Sequence, residues 1–240
     1  MISEGAPSTT PFRRNVLLVD LDGTLTDPAE GIVGCFRYAL AAMGCAAPPG
    51  VDLSWIIGPP LRRSFAKMLR ETGGTEEALA IYRTRYDAEG LFEAVVYDGV
   101  TEALSRLEQS GARLFLCTSK PSVYAARILA RFDLGRYFEQ AYGAELDGRL
   151  EDKGDLIADI LADRALDARD CVMWGDRKHD VAGAKRHAIP TIGALWGYGG
   201  ERELREAGAS ALCAAPAEVP AAFARLTQDG AHARKLSHDR

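Results

Sequence analysis

Apolar residues along this chain follow two periodicities. Val16-Leu17-Leu18-Val19 is apolar at every position and stops abruptly at Asp20, the pattern of a strand buried on both faces. Segments 112–117, 170–174 and 191–194 repeat it, and 211–214 does so more weakly. Between them, residues 100–109, 123–132, 153–163 and 180–187 carry apolar positions at helical spacing, most followed by Gly or Pro. Strands alternating with helices predict an α/β fold with a doubly wound, mostly parallel sheet.

Between residues 28 and 96 the rhythm changes. Helical periodicity recurs at 31–43, 59–72 and 75–90, with no strand pattern among them. This predicts an all-helical cap over 28–96, inserted into a core of 15–27 and 97–225 through linkers near Asp27-Pro28 and Tyr97-Asp98-Gly99. Ligands in such sheets bind beyond the carboxyl ends of the strands, where the insertion departs, so the cap is expected to cover the site. Residues 1–14 and 226–240 are read as flexible tails.

Composition narrows the class. With 47% hydrophobic and 26% charged residues among 240, the chain can bury a core and lies outside the range of disorder. Thirty-four acidic against 29 basic residues leave a net charge of -5, the reverse of what a nucleic-acid polymer requires of its partner. Five cysteines are an odd number, widely spaced and without a Cys-x-x-Cys pair, so they are read as buried free thiols. No apolar leader and no run near the roughly 18 residues of a membrane span is present. A cytoplasmic protein that engages no membrane is expected.

The candidate chemistry begins where the first strand ends. Asp20 and Asp22 stand two residues apart before a Gly-Thr turn. Two carboxylates so placed repel unless one is protonated or a cation lies between them, and Mg²⁺ meets that need with oxygen ligands. An isolated D-x-D is more often loop and cap chemistry. Here the string runs on as Asp20-Leu21-Asp22-Gly23-Thr24-Leu25-Thr26-Asp27.

That string resembles the first motif of the haloacid dehalogenase superfamily phosphatases, and three further segments resemble the others in the same order. Leu116-Cys117-Thr118-Ser119-Lys120-Pro121 is similar to the second motif, Lys153 in Glu151-Asp152-Lys153-Gly154 to the third, and Gly175-Asp176-Arg177-Lys178-His179-Asp180 to the fourth. Lys153 lacks the Pro that commonly follows this Lys, which leaves Arg149 as a substitute. Taken alone, Thr118 reads equally as a helix cap, Lys153 as a surface lysine and Asp180 as a helix-leading carboxylate.

The resemblance implies a Mg²⁺-dependent phosphomonoester hydrolase that forms an aspartyl-phosphate. Asp20 is then nucleophile and metal ligand. Asp22 is acid and base, with its backbone carbonyl on the metal. Asp176 is a further metal ligand, Asp180 holds Lys153 or metal-bound water, and Thr118 with the Ser119 backbone binds phosphoryl oxygens. The dehalogenase branch lacks the second Asp, so Asp22 argues against dehalogenation. Trp55 to Phe65, with Gly58-Pro59-Pro60-Leu61, is similar to a cap loop of phosphoglycolate phosphatase-like and 5′-nucleotidase-like members. Gly58, Arg62, Arg63 and Lys67 are thus candidates for substrate contacts, set against an exposed basic helix face. The expected partner is a small phosphorylated metabolite, and the expected assembly a monomer or homodimer. A sugar phosphomutase shares every core motif and stays open as an alternative. A non-catalytic acidic-pocket module is disfavoured by the length and the helical insertion.

Overall fold

Val16 and Leu18 face one side of a sheet and Leu17 and Val19 the other, all four exposed by 1% or less. The first face packs Phe115, Met173, Leu156, Ile157 and Ile160; the second packs Leu114, Leu116, Val172 and Trp174. An uninterrupted apolar run is therefore what a strand sandwiched between two layers requires.

The computed structural model describes residues 15–70 and 73–238, with side chains described through 228. In chain order the elements are β1 (Val16–Val19), β2 (Thr26–Asp27), α1 (Ala29–Ala42), α2 (Leu61–Met68), α3 (Thr75–Ala88), β3 (Val95–Val96), α4 (Val100–Gln109), β4 (Arg113–Pro121), α5 (Ser122–Arg131), β5 (Gln140–Ala144), α6 (Lys153–Asp163), β6 (Cys171–Gly175), α7 (Lys178–Lys185), β7 (Thr191–Ala194), α8 (Gly200–Ala207), β8 (Ala211–Cys213) and α9 (Val219–His238). Six strands form one sheet in the order β5-β4-β1-β6-β7-β8, and every pair in it is parallel.

Several details depart from the sequence reading. Strand β5 has no apolar run because it lies at the sheet edge, paired to β4 alone, with its first residues half-exposed or exposed. The linkers pair as a two-residue antiparallel ribbon, β2 with β3, too short to leave a periodic signal. Helix α2 starts after Pro59-Pro60, not at 59, and ends at Met68; residues 71–72 of the expected helix lie outside the described residues. Helix α9 continues through 226–238, a stretch read as tail, because its Ala, Arg, Lys and Leu are good helix formers. The other expected tail, 1–14, lies outside the described residues. Among the described residues no helix is long and apolar enough to cross a membrane. Four of the five cysteines are buried, and Cys45 is half-buried.

The three inserted helices are held together by an aromatic chain. Phe36 of α1 stacks on Phe65 of α2 at 4.2 Å, Phe65 meets Tyr82 of α3 edge-on at 6.0 Å, and Tyr82 stacks on Tyr86 at 5.2 Å. The chain then leaves the insertion, since Tyr86 meets Tyr124 of α5 edge-on at 5.4 Å. Such pairs add about 0.5–1.5 kcal/mol each beyond the area they bury. They also fix α3 above the end of β4.

Candidate active site

Register decides which residues meet. Val19 pairs with Leu116 of β4 and Trp174 of β6, so the next residue, Asp20, stands level with Cys117 and Gly175. Thr118 and Asp176 follow one position further out, on the strands flanking β1 at the carboxyl edge. The backbone N–H of Asp20 donates to the Trp174 carbonyl at 2.9 Å and anchors this crossing.

Carboxylate oxygens of Asp20, Asp176 and Asp180 lie within 4.8 Å of one another, and all three residues are buried. Lys153, at the first turn of α6, places its ammonium 2.9 Å from Asp20 Oδ1, 2.8 Å from Asp180 Oδ1 and 2.8 Å from the Cys117 carbonyl. Burial works against that charge, but Asp180 and Asp20 outweigh it and hold the ammonium well above its ordinary range. Asp180 also serves α7, because its Oδ2 accepts from the Arg177 N–H at 3.0 Å. The capping and site readings of Asp180 are therefore both realised. Arg149, the substitute for Lys153, is exposed and paired with Asp147 in its own turn.

Asp176 makes no ion pair among the described residues, although the charge of neighbouring Arg177 acts on it. Its Oδ2 accepts from the Tyr198 N–H at 2.7 Å and its Oδ1 from the Thr24 hydroxyl at 3.3 Å. Burial, with Asp180 and Asp20 alongside, raises its carboxyl well above the ordinary value. The Trp196-Gly197-Tyr198 loop closes over it so tightly that a Cβ on Gly197 would lie 2.4 Å from Asp176 Oδ2. That contact gives Gly197 a packing reason to be glycine.

Asp22 stands apart from this cluster. Its Oδ2 accepts from Lys120 Nζ at 2.6 Å, and its Oδ1 is buried with no hydrogen-bond partner among the described residues. Burial raises its carboxyl despite the lysine. The side chain of Asp22 thus lies outside the carboxylate group that could hold a metal, Asp20, Asp176 and Asp180; the backbone-carbonyl expectation concerns a different atom.

Charge decides whether a cation fits. The buried charged residues at this edge are Asp20, Asp22, Asp176 and Asp180 against Lys120 and Lys153, with Arg177 paired to Glu203. Four ionised carboxylates against two ammoniums would leave two negative charges, expensive to bury uncompensated, and the raised carboxyls of Asp20, Asp22 and Asp176 reflect that cost. A divalent hard cation matches both that deficit and the all-oxygen donor set.

Thr118 is buried, and its hydroxyl accepts from the Lys120 N–H at 3.2 Å. The Ser119 side chain turns away and donates to the Glu151 carbonyl at 3.0 Å, which leaves its backbone to the site. A cleft opens beyond Asp20, Asp22 and Thr118, walled by Ile32, Ile56, Leu79, Tyr82, Tyr86 and Tyr124.

The cap candidates divide, with Gly58 and Arg62 bordering the cleft and Arg63 and Lys67 lying off it. Gly58 adopts φ +101°, and a Cβ there would lie 2.9 Å from Arg177 Cγ, so the loop passes this close only as glycine. Arg62 borders the cleft but is ion-paired with Glu76. Arg63, about 100° further round α2, instead lines a polar cavity with Lys153 and His179. Lys67 lies 3.9 Å from the centroid of the Trp55 ring and not at the cleft.

Sequence reasoning gave three contributors no part in the chemistry. Lys120, Tyr86 and Arg177 all line or brace the site. The signal for Lys120 was available, since it follows Thr118 by two residues on one strand and shares its face. Arg177 donates to the Ile57 carbonyl of the insertion and to Glu203 of α8 at 2.9 Å, a contact across 120 residues that no spacing rule announces.

Comparison with known proteins agrees with this geometry. The chain is 42% identical over 203 residues to a 5′-nucleotidase of Pseudomonas aeruginosa, covering 82% of this chain and 90% of that protein. It is 42% identical over 196 residues to tyrosine-protein kinase PtkA of Mycobacterium tuberculosis, covering 81% of this chain and 65% of the kinase, so it spans just under two thirds of that relative. A phosphoglycolate phosphatase of Agrobacterium fabrum is 32% identical over 189 residues, 75% of this chain and 80% of the relative. Among solved structures, a predicted phosphatase from Clostridium acetobutylicum superposes with a TM-score of 0.84 at 37% identity, covering 88% of this chain and 98% of the other. Residues 17–194, which hold all four motifs, match the family described as haloacid dehalogenase-like hydrolase, and the chain belongs to that family.

Proposed function

We propose that this chain is a Mg²⁺-dependent phosphatase that hydrolyses a small phosphorylated metabolite in the cytoplasm through an aspartyl-phosphate on Asp20. The observation that carries the reading is the division of the buried charge. Asp20 sits in a three-carboxylate cluster beside Lys153, while Asp22 is held separately by Lys120 at the mouth of the cleft. Nucleophile and acid thus occupy different environments, as two-step phosphoryl transfer demands.

Asp20 attacks phosphorus in line as the ester P–O bond breaks, and Asp22 gives its proton to the leaving oxygen. Asp22 then takes a proton from the water that attacks the phosphorus of the aspartyl-phosphate, which frees Asp20. Lys153, the Thr118 hydroxyl and the backbone at Ser119 stabilise the phosphoryl oxygens. Mg²⁺, held by Asp20 and Asp176 with Asp180 in support, supplies neutralisation of the dianionic ester and of the charge that develops during transfer.

Substrate size follows from the cleft. Its wall of Ile32, Ile56, Leu79, Tyr82, Tyr86 and Tyr124 suits a bulky, partly apolar leaving group, and Arg62 is already neutralised by Glu76. This favours the nucleoside of a 5′-nucleotide over the two-carbon acid of phosphoglycolate. A second reading, transfer to a protein acceptor, has the 42% identity to the relative named tyrosine-protein kinase in its favour.

Phosphate release from a panel of nucleoside monophosphates, phosphoglycolate and sugar phosphates, with Mg²⁺ and no acceptor, tests both. Release fastest from a nucleoside monophosphate supports the proposal. No release from any ester, with transfer from ATP to a protein, overturns it in favour of the second reading.

A further inference from the structure

Strand β4 runs past the expected end of its apolar core and carries Thr118 and Lys120 toward the site. Its pairing with β5 shifts register between Thr118 and Pro121, an irregularity of the kind that re-aims side chains at functional edges. Lys120 is only 9% exposed although it is a lysine, and nothing in the two-step chemistry above uses it. Its ammonium lies 2.6 Å from Asp22 Oδ2 and 5.0 Å from the centroid of the Tyr86 ring, and it also hydrogen-bonds the Tyr86 hydroxyl. Tyr86 belongs to α3 of the helical insertion, whereas Asp22 and Lys120 belong to the sheet. One buried ammonium therefore joins the acid of the core to a side chain of the cap.

The two oxygens of Asp22 are treated differently. Lys120 occupies Oδ2, and Oδ1 is left buried beside the cleft without a partner among the described residues. A buried carboxyl oxygen without a partner is costly unless another group meets it during the reaction.

We propose that Lys120 is the positioning residue for Asp22, pinning Oδ2 so that Oδ1 faces the leaving oxygen, with Tyr86 tying that alignment to the helical insertion. The inference rests on the phosphatase reading. In the first half-reaction the ester P–O electron pair stays on the leaving oxygen, which takes the proton carried by Asp22 Oδ1. In the second half, the same oxygen takes a proton from water as the water oxygen bonds to phosphorus and the Asp20 carboxylate departs. A carboxyl free to rotate still ionises but misses both transfers.

A leaving group that needs no proton separates positioning from mere structural support. The measurement is kcat/KM for a nucleoside monophosphate, whose alkoxide must be protonated, and for p-nitrophenyl phosphate, whose phenolate leaves unaided. Lys120→Met should lose about 100-fold on the nucleotide, the scale of general acid catalysis, and about threefold or less on the aryl ester. Lys120→Arg, which keeps a cation at Oδ2, should recover part of the nucleotide rate. Tyr86→Phe, which keeps the ring and removes only the hydroxyl, should show the same split at about three- to tenfold, and it carries the test should Lys120→Met fail to fold. Equal losses on both esters in either variant overturn the positioning role and leave the phosphatase reading intact. A wild-type protein inactive on both esters overturns the phosphatase reading and this inference with it.

Discussion

Lys153 Nζ lies 2.9 Å from Asp20 Oδ1, and both side chains are at most 7% exposed. Asp180 takes the same ammonium at 2.8 Å, so one lysine balances two carboxylates across the carboxyl edge of the sheet. Breaking a buried pair by removing one partner costs about 3–5 kcal/mol, because the remaining charge is left uncompensated. Lys153→Met should therefore lower thermal stability in the absence of metal as well as abolish turnover, which thermal unfolding in EDTA and a rate assay measure separately. Unchanged stability in EDTA would mean that the cluster is not charged as described.

Asp176 predicts the opposite sign. Its carboxyl is raised above the ordinary 3.8 by burial and by Asp180 and Asp20. A raised carboxyl favours the folded state below its unfolded value and loses that advantage as pH rises through the folded value. In EDTA the wild type should thus lose stability relative to Asp176→Asn as pH climbs above about 4. In Mg²⁺ the order reverses, since only the wild type keeps its ligand and its metal-dependent rise in Tm. Parallel pH–Tm curves for the two proteins in EDTA would refute the raised value.

Arg177 should act on substrate capture more than on chemistry. It joins the loop bearing Asp176 to the Ile57 carbonyl of the insertion, and Gly58 leaves room for its side chain. Arg177→Ala should raise KM several-fold with a smaller fall in kcat, while Gly58→Ala, forced to φ +101° and to 2.9 Å from Arg177 Cγ, should do the same and unfold earlier. A fall confined to kcat in both variants would show that the link serves the chemical step.

Arg62 and Arg63 separate a cleft contact from a basic surface. Arg62 borders the cleft and pairs with Glu76, whereas Arg63 faces another cavity. Arg62→Ala should shift the preference among phosphate esters and Arg63→Ala should leave it unchanged, as a substrate profile of both variants reveals. The reverse pattern would relocate the substrate to the Lys153–His179 side.

The parts legible in the sequence are those fixed by strand ends. Asp20, Thr118 and Asp176 each close an apolar run, and parallel pairing alone brings such ends together. Lys153 and Asp180 were readable through family resemblance, and so was one of the two roles it gives Asp180, holding Lys153. The pairing of Lys120 with Asp22 left no local signal because the two are 98 residues apart, although strand parity with Thr118 points Lys120 inward. Strand β5 was invisible because an edge strand needs no apolar run. Composition likewise cannot show that Glu76 engages Arg62 or that Lys67 lies over the Trp55 ring.

The central claim is that Asp20 carries the phosphoryl group. Rapid quenching of the protein during turnover of a nucleoside monophosphate with Mg²⁺, followed by mass spectrometry of the peptide holding Asp20, tests it most directly. The account predicts one acid-stable, hydroxylamine-labile phosphoryl group on Asp20 in the wild type, and neither phosphopeptide nor turnover in Asp20→Asn. Steady turnover with no phosphoryl group on that peptide, or substantial activity in Asp20→Asn, would contradict it.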